Sequence, residues 1–144
     1  MFAALCDDDK YITEEIKKLL LEYAKDNRIT IDIDEFESGE ELLNSEKNYD
    51  IIVLDYQLGS TNGLTVAKEL RKRNVLSSII FLTSYPNFMI DAFEVNTFRF
   101  LLKPIDKSKF FKAIDDYIKI VDANYPITII QNKELKKINS NEIC

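Results

Sequence analysis

The sequence predicts an α/β fold, a doubly wound sheet of five parallel strands with helices on both faces. Short apolar runs alternate five times with stretches of helical periodicity between Phe2 and Val121. The run Ile51-Ile52-Val53-Leu54 is apolar on both faces, as a central parallel strand covered by helices is. Three runs finish in charge, at Asp7-Asp8-Asp9, at Asp55 and at Lys103-Pro104. Alternation of this kind implies right-handed crossovers, and five units are too few for a closed barrel, which takes eight. In an open parallel sheet the strand carboxyl ends share one edge, so these charges are expected in one crevice.

Each element follows from its pattern. Phe2 to Cys6 reads as a short buried strand, after which Ile12, Ile16, Leu19, Leu20 and Tyr23 recur at helical spacing. Ile29 to Phe36 sets Ile29, Ile31 and Ile33 against Asp32 and Asp34, as an edge strand with one wet face does. Ser38 begins a short helix, with Glu41 three residues on in the capping-box arrangement and Leu42 and Leu43 behind it. Asp50 to Asp55 is the third strand, and Tyr56 to Gly63 (YQLGSTNG) carries turn residues. Leu64, Ala67 and Leu70 mark a third helix, Ile79 to Leu82 a fourth strand, Phe88 to Val95 a fourth helix and Phe98 to Leu102 a fifth strand. Phe110, Ile114, Tyr117 and Val121 form the apolar stripe of a last helix.

The alternation stops near Asp122. Beyond Asn124-Tyr125-Pro126, Ile127 to Ile130 and Leu135 to Ile138 read as two strands joined at Asn132-Lys133, a ribbon marginal on its own. The expected organisation is a main domain over 1–122, a linker over 123–126 and the start of a second, β-rich domain over 127–144.

The 144 residues suit one domain plus a fragment, and with 46% hydrophobic and 31% charged residues and only 3 glycines the chain is not a disordered one. Residues 1–126 hold 16 Lys and Arg against 23 Asp and Glu, net −7; residues 127–144 hold 3 against 2, net +1. The main domain is therefore no electrostatic footprint for nucleic acid. Cys6 and Cys144 give neither a disulfide framework nor a metal-ligand spacing, three aspartates by position 9 leave no secretory apolar region, and no run approaches bilayer length. A soluble protein of the reducing cytoplasm, without membrane contact, is expected.

Taken singly, the charged strand ends have ordinary explanations. Aspartates favour a helix start, a terminal lysine snorkels, and Thr83 followed by Ser84 suits a strand end and its turn. The set is different. Two carboxylates about 4 Å apart repel by roughly 4 kcal/mol at an effective dielectric near 20, so collecting Asp7, Asp8 and Asp55 at one edge calls for a cation. Mg²⁺ typically takes one or two protein carboxylates with phosphate oxygens and waters, which suits Asp8 and Asp55.

This set resembles the receiver domains of two-component response regulators, over about residues 2–121. Asp7 and Asp8 follow the first strand, Asp55 ends the third, Gly63 closes the loop beyond it, and Thr83-Ser84 and Lys103-Pro104 complete the pattern. The resemblance implies a flavodoxin-like sheet with strand order 2-1-3-4-5 and a signalling phosphoacceptor that is not an enzyme in its own right. It implies Asp55 as the phosphoacceptor. It further implies Mg²⁺ held by Asp8, Asp55 and the backbone carbonyl of Gln57, with Asp7 acting through water. Thr83 and Lys103 would hold phosphoryl oxygens, Phe100 would be the switch aromatic, and Gln57 and Tyr85 would tune hydrolysis. Phosphoryl transfer needs mainly positioning and charge stabilisation, and a carboxylate can be its nucleophile. The chain contains no histidine, so a phosphohistidine donor must be another protein, a sensor histidine kinase.

The stretch Asp91-Ala-Phe-Glu-Val-Asn-Thr-Phe-Arg-Phe-Leu-Leu-Lys-Pro-Ile105 is similar to receivers joined to LytTR-type DNA-binding domains, and 127–144 to the opening strands of such a domain. A transcriptional output is thus expected, with DNA bound only by that further domain. Phosphorylation is expected to favour a homodimer through the fourth helix, fifth strand and fifth helix, bringing two output domains onto paired sites. Phe88, Met89 and Phe93 belong either to that face or to the core. Gly59 departs from the proline many receivers carry there. Two rivals stand beside this reading. An aspartyl-phosphate phosphatase of the haloacid dehalogenase type is disfavoured, because it usually carries a second aspartate where this chain has Gln57, which cannot act as a general acid. The other rival is a stand-alone receiver that regulates a protein partner.

Overall fold

The computed structural model describes residues 1–59, 61–88 and 95–124. Five parallel strands form its sheet: β1 (Phe2–Cys6), β2 (Asp32–Phe36), β3 (Ile51–Asp55), β4 (Ser78–Thr83) and β5 (Arg99–Leu102). Their order is β2-β1-β3-β4-β5, so the chain runs outward from β1 to one edge and then, from β3, to the other. The register places Leu5 beside Val53, Val53 beside Ile80 and Leu82 beside Leu101.

Side-chain alternation divides the sheet into two buried faces. Ala4, Cys6, Ile52, Leu54, Ile79 and Phe81 join Leu42 of α2 (Gly39–Asn44) and Val66, Ala67 and Leu70 of α3 (Gly63–Lys72) in one apolar cluster. Their alternates Ala3, Leu5, Ile51, Val53, Ile80 and Leu82 are buried on the other face, where α1 (Lys10–Asn27) buries Ile16, Leu20 and Tyr23. Helices thus cover both faces, as expected. Each fully buried Ile or Leu contributes roughly 2 kcal/mol.

The structure moves some boundaries. β2 begins at Asp32 rather than Ile29, because α1 ends in a left-handed turn at Arg28 (φ 55°) and the Ile29 N–H closes it on the Ala24 carbonyl at 3.0 Å. The capping box at α2 is shifted by one residue. Ser38 Oγ accepts the Glu41 N–H, but Glu41 Oε1 accepts from Glu37 rather than from the cap residue. Pro86–Phe88 is a 3₁₀ turn. The rest of the expected fourth helix, with Met89 and Phe93, and the expected strands of 127–138 lie outside the described residues.

The chain divides into two compact units, Met1–Lys109 and Phe110–Cys144. From Phe110 on, the last helix (Lys107–Asn124) makes the described part of the second, with Phe110, Ala113 and Ile114 buried and Tyr117 and Val121 half-buried. Lys112 pairs with Asp116 one turn on at 3.4 Å. Among the described residues no helix is long and apolar enough to cross a membrane.

Candidate functional site

The strand order reverses between β1 and β3, and at their carboxyl edge the buried runs give way to charge. Asp7 follows β1 and Asp55 ends β3, and only 3% and 5% of their surfaces are exposed. Asp8 stands exposed beside them. One carboxylate oxygen from each of Asp7, Asp8 and Asp55 lies within 4.8 Å of the other two. Lys103, just past β5, brings Nζ to 3.3 Å from Asp7 Oδ2 and 3.2 Å from Asp55 Oδ1. Three carboxylates against one ammonium leave an excess of two negative charges when all are ionised. Hard oxygen donors at this spacing with uncompensated charge fit a small divalent cation.

The run of three aspartates divides its work. Asp9 is the cap of α1, its carboxylate accepting the Tyr11 N–H at 2.9 Å, so the helix-start explanation holds for this one. Asp7 instead accepts the Asp9 N–H at 2.9 Å and faces Lys103, while Asp8 joins the cluster.

Burial pushes the Asp55 carboxyl up, and neighbouring Asp7 adds to it; Lys103 and the Gln57 N–H pull the other way, leaving Asp55 at about 6. Asp7 is also raised by burial, restrained by the Asp9 N–H and Lys103. For Lys103 burial acts downward, but Asp55 and Asp7 outweigh it and hold the ammonium above the ordinary lysine value. Each partner thus keeps the other charged.

Thr83 ends β4 and is 1% exposed. Its carbonyl accepts the Lys103 N–H at 2.7 Å, which ties the lysine's backbone to the threonine, and its Oγ1 accepts the Tyr85 N–H at 3.2 Å. Phe100 lies within β5 opposite Phe81, half-buried against the apolar cluster. The structure therefore gathers Asp7, Asp8, Asp55 and Lys103 into direct proximity, sets Gln57 on Asp55 (N–H to Oδ1, 3.3 Å) and keeps Phe100 back in the sheet.

The loop after Asp55 is a folded hairpin. Gln57–Leu58 pairs antiparallel with Thr61–Asn62, Leu58 is buried, and the Gly63 N–H closes on the Tyr56 carbonyl at 2.6 Å. A Cβ on Gly63 would overlap the Asp55 carbonyl oxygen and stand 3.0 Å from the Phe81 ring, so this close approach needs glycine. Gly59 has φ +67°. Proline, locked near −65°, cannot take that dihedral, which gives the departure at this position a backbone reason.

One structural feature had no signal in the motif pattern. Tyr56, next to Asp55, is buried and stacks on Phe88 at 4.1 Å and 8°, with Tyr85 edge-on to Phe88 at 5.8 Å. An aromatic after the acidic strand end was visible, but its partner across the sheet edge was not.

Comparison with known proteins agrees with this geometry. The response regulator receiver domain family matches residues 3–115. Sensory transduction protein LytT of Bacillus cereus is 34% identical over 120 residues, covering 83% of this chain and 48% of that protein. Sensory transduction protein LytR of Staphylococcus epidermidis is 32% identical over 117 residues, covering 80% and 45%. The chain spans about half the length of these relatives. Among solved structures, the response regulatory domain of protein mrkE from Klebsiella pneumoniae shares the fold (TM-score 0.76, 21% identity, 85% of this chain and 99% of that one). So does the response regulator TrrA of Thermotoga maritima, solved in complex with Mg²⁺-BeF (TM-score 0.70, 28% identity, 81% and 97%). What the strand-end charges suggested, the matched stretch and the sheet order establish: the chain belongs to the receiver domains of two-component response regulators.

Proposed function

We propose that Asp55 is the phosphoacceptor of a transcriptional response regulator and that the chemistry is done by the cluster around it. The observation that carries this reading is Lys103 Nζ held between Asp7 and Asp55, within an acidic group whose charge it only partly balances. Asp8, Asp55 and the backbone carbonyl of Gln57 would hold Mg²⁺, with Asp7 acting through water; a cation bound there neutralises the excess charge. An ionised Asp55 oxygen forms a bond to phosphorus as the donor's P–N bond breaks, the electron pair leaving with the imidazole. Lys103 and the Thr83 hydroxyl then donate to phosphoryl oxygens, stabilising charge that a buried site stabilises poorly by itself.

With no histidine in the chain, the donor is a sensor histidine kinase. The protein is a signalling phosphoacceptor whose only reactions are taking up a phosphoryl group and losing it by hydrolysis, which Gln57 and Tyr85 tune. As Thr83 turns to the phosphoryl group, Phe100 moves inward, and the fourth helix, fifth strand and fifth helix become a homodimer face. Residues 1–122 form the receiver and 123–126 a linker, while 127–144 open a LytTR-type domain that carries the DNA contacts in the cytoplasm. The test is incubation with Mg²⁺ and acetyl phosphate followed by intact mass. One added phosphoryl group is expected on the wild type and none on Asp55→Asn; equal labelling of the two refutes the assignment.

A further inference from the structure

We propose that Gly59 is a positioning residue for the divalent cation, holding the loop after Asp55 as a preformed hairpin whose tip lies over Asp8. The inference rests on reading the acidic cluster as a Mg²⁺ site. The ladder pairs Gln57 with Asn62 and Leu58 with Thr61, so Gly59 opens a two-residue connection directly after the first paired strand. Both turn types that suit such a connection need positive φ at the first central residue, and Gly59 supplies +67°.

Space does not select glycine here. A Cβ at this position would meet Asp8 Oδ2 at 3.5 Å, an ordinary contact, so the dihedral is what disfavours most other residues, asparagine least. The same distance shows how near the tip comes to the exposed carboxylate of the cluster. The rest of the hairpin is fixed independently. Leu58 is buried, Gln57 donates to Asp55, the Gly63 N–H reaches the Tyr56 carbonyl, and Asn62 caps α3 by accepting the Thr65 N–H at 2.8 Å. The Gly59 turn thus sets the spacing between the Gln57 carbonyl and Asp8 before any cation arrives, and the ordering cost is met during folding rather than at binding.

Mg²⁺ titration by calorimetry near pH 8 on the wild type, Gly59→Asn, Gly59→Ala, Gly59→Pro and Asp8→Asn tests this, with the metal-free melting temperature of each. Asparagine tolerates left-handed backbone, so Gly59→Asn is expected within about twofold of the wild-type Kd. Gly59→Ala is expected to weaken binding about fivefold or more, and Gly59→Pro about tenfold or more. A role in folding alone would lower the melting temperature and leave Kd unchanged. If Gly59→Pro does not fold, the asparagine and alanine pair decides. Wild-type affinity in Gly59→Ala, with Asp8→Asn weakened, overturns the role of Gly59. A wild type that takes up no Mg²⁺, or an Asp8→Asn that binds as well, overturns the metal reading beneath it.

Discussion

Lys103 Nζ stands 3.2 Å from Asp55 Oδ1, a lysine from the end of one strand held against an aspartate from the end of another two places away in the sheet. The lysine's backbone is tied to β4 through the Thr83 carbonyl, so the contact follows from the strand order and not from a flexible side chain's choice. Replacing Lys103 with methionine leaves Asp7 and Asp55 facing each other without compensation. Without divalent ions at pH 7.5, Lys103→Met should lose on the order of 2 kcal/mol of stability. Chemical denaturation in the presence and absence of Mg²⁺ checks this, and the loss should shrink when Mg²⁺ is added.

Asp55 itself should cost stability when ionised. Its carboxyl holds a proton more tightly folded, at about 6, than unfolded, at 3.8. Its favourable contribution is therefore complete below about pH 3.8 and lost as pH rises through about 6. At pH 7.5 without metal, Asp55→Asn should be more stable than the wild type by about 2 kcal/mol, and the two should converge near pH 4. Melting curves of both proteins across pH 4 to 8 measure the difference directly. A gap that stays constant across that range contradicts the assignment of the raised group.

The same proton competes with the cation. Below about pH 6 a Mg²⁺ ion must displace it from Asp55, so the apparent affinity should fall by up to about tenfold per pH unit, while above about 7 it should level off. Calorimetric titrations in buffers of different ionisation enthalpy count the proton released. No proton release at pH 5.5 would show that the cation binds elsewhere.

Away from the site, Arg71 of α3 donates to three backbone carbonyls, Val75 at 2.7 Å, Val95 at 2.9 Å and Asn96 at 3.2 Å. Asn74 and Asn96 both take left-handed backbone, φ 63° and 55°, so one guanidinium gathers carbonyls beside two tight turns. Arg71→Ala should cost about 2 to 3 kcal/mol, because it strands partly buried acceptors, and Arg71→Lys should recover less than half. Urea denaturation of the two variants provides the values.

Much of this was legible because period and charge coincide. Phe2–Cys6 is apolar and runs into Asp7, and Ile51–Leu54 is apolar and runs into Asp55, which marked both as buried strands and pointed to the edge at which the carboxylates meet. Boundaries set by backbone dihedrals were not legible. Arg28 ends α1 in a left-handed turn without a glycine to announce it, so β2 was expected three residues too early. Gly59 stood out only as a departure from the proline that many receivers carry there, whereas its positive φ sits at the end of a paired hairpin strand. The stack of Tyr56 on Phe88 joins residues from different loops, and no periodicity relates them.

The proposed residence of the phosphoryl group on Asp55 can be read chemically. Borohydride reduces an aspartyl phosphate to homoserine, so treating the acetyl phosphate-labelled protein and mapping its peptides locates the acceptor. Homoserine is expected at position 55, dependent on Mg²⁺ and absent from unlabelled protein. Homoserine at position 7 or 8 instead, or an unreduced Asp55 in fully labelled protein, would contradict it.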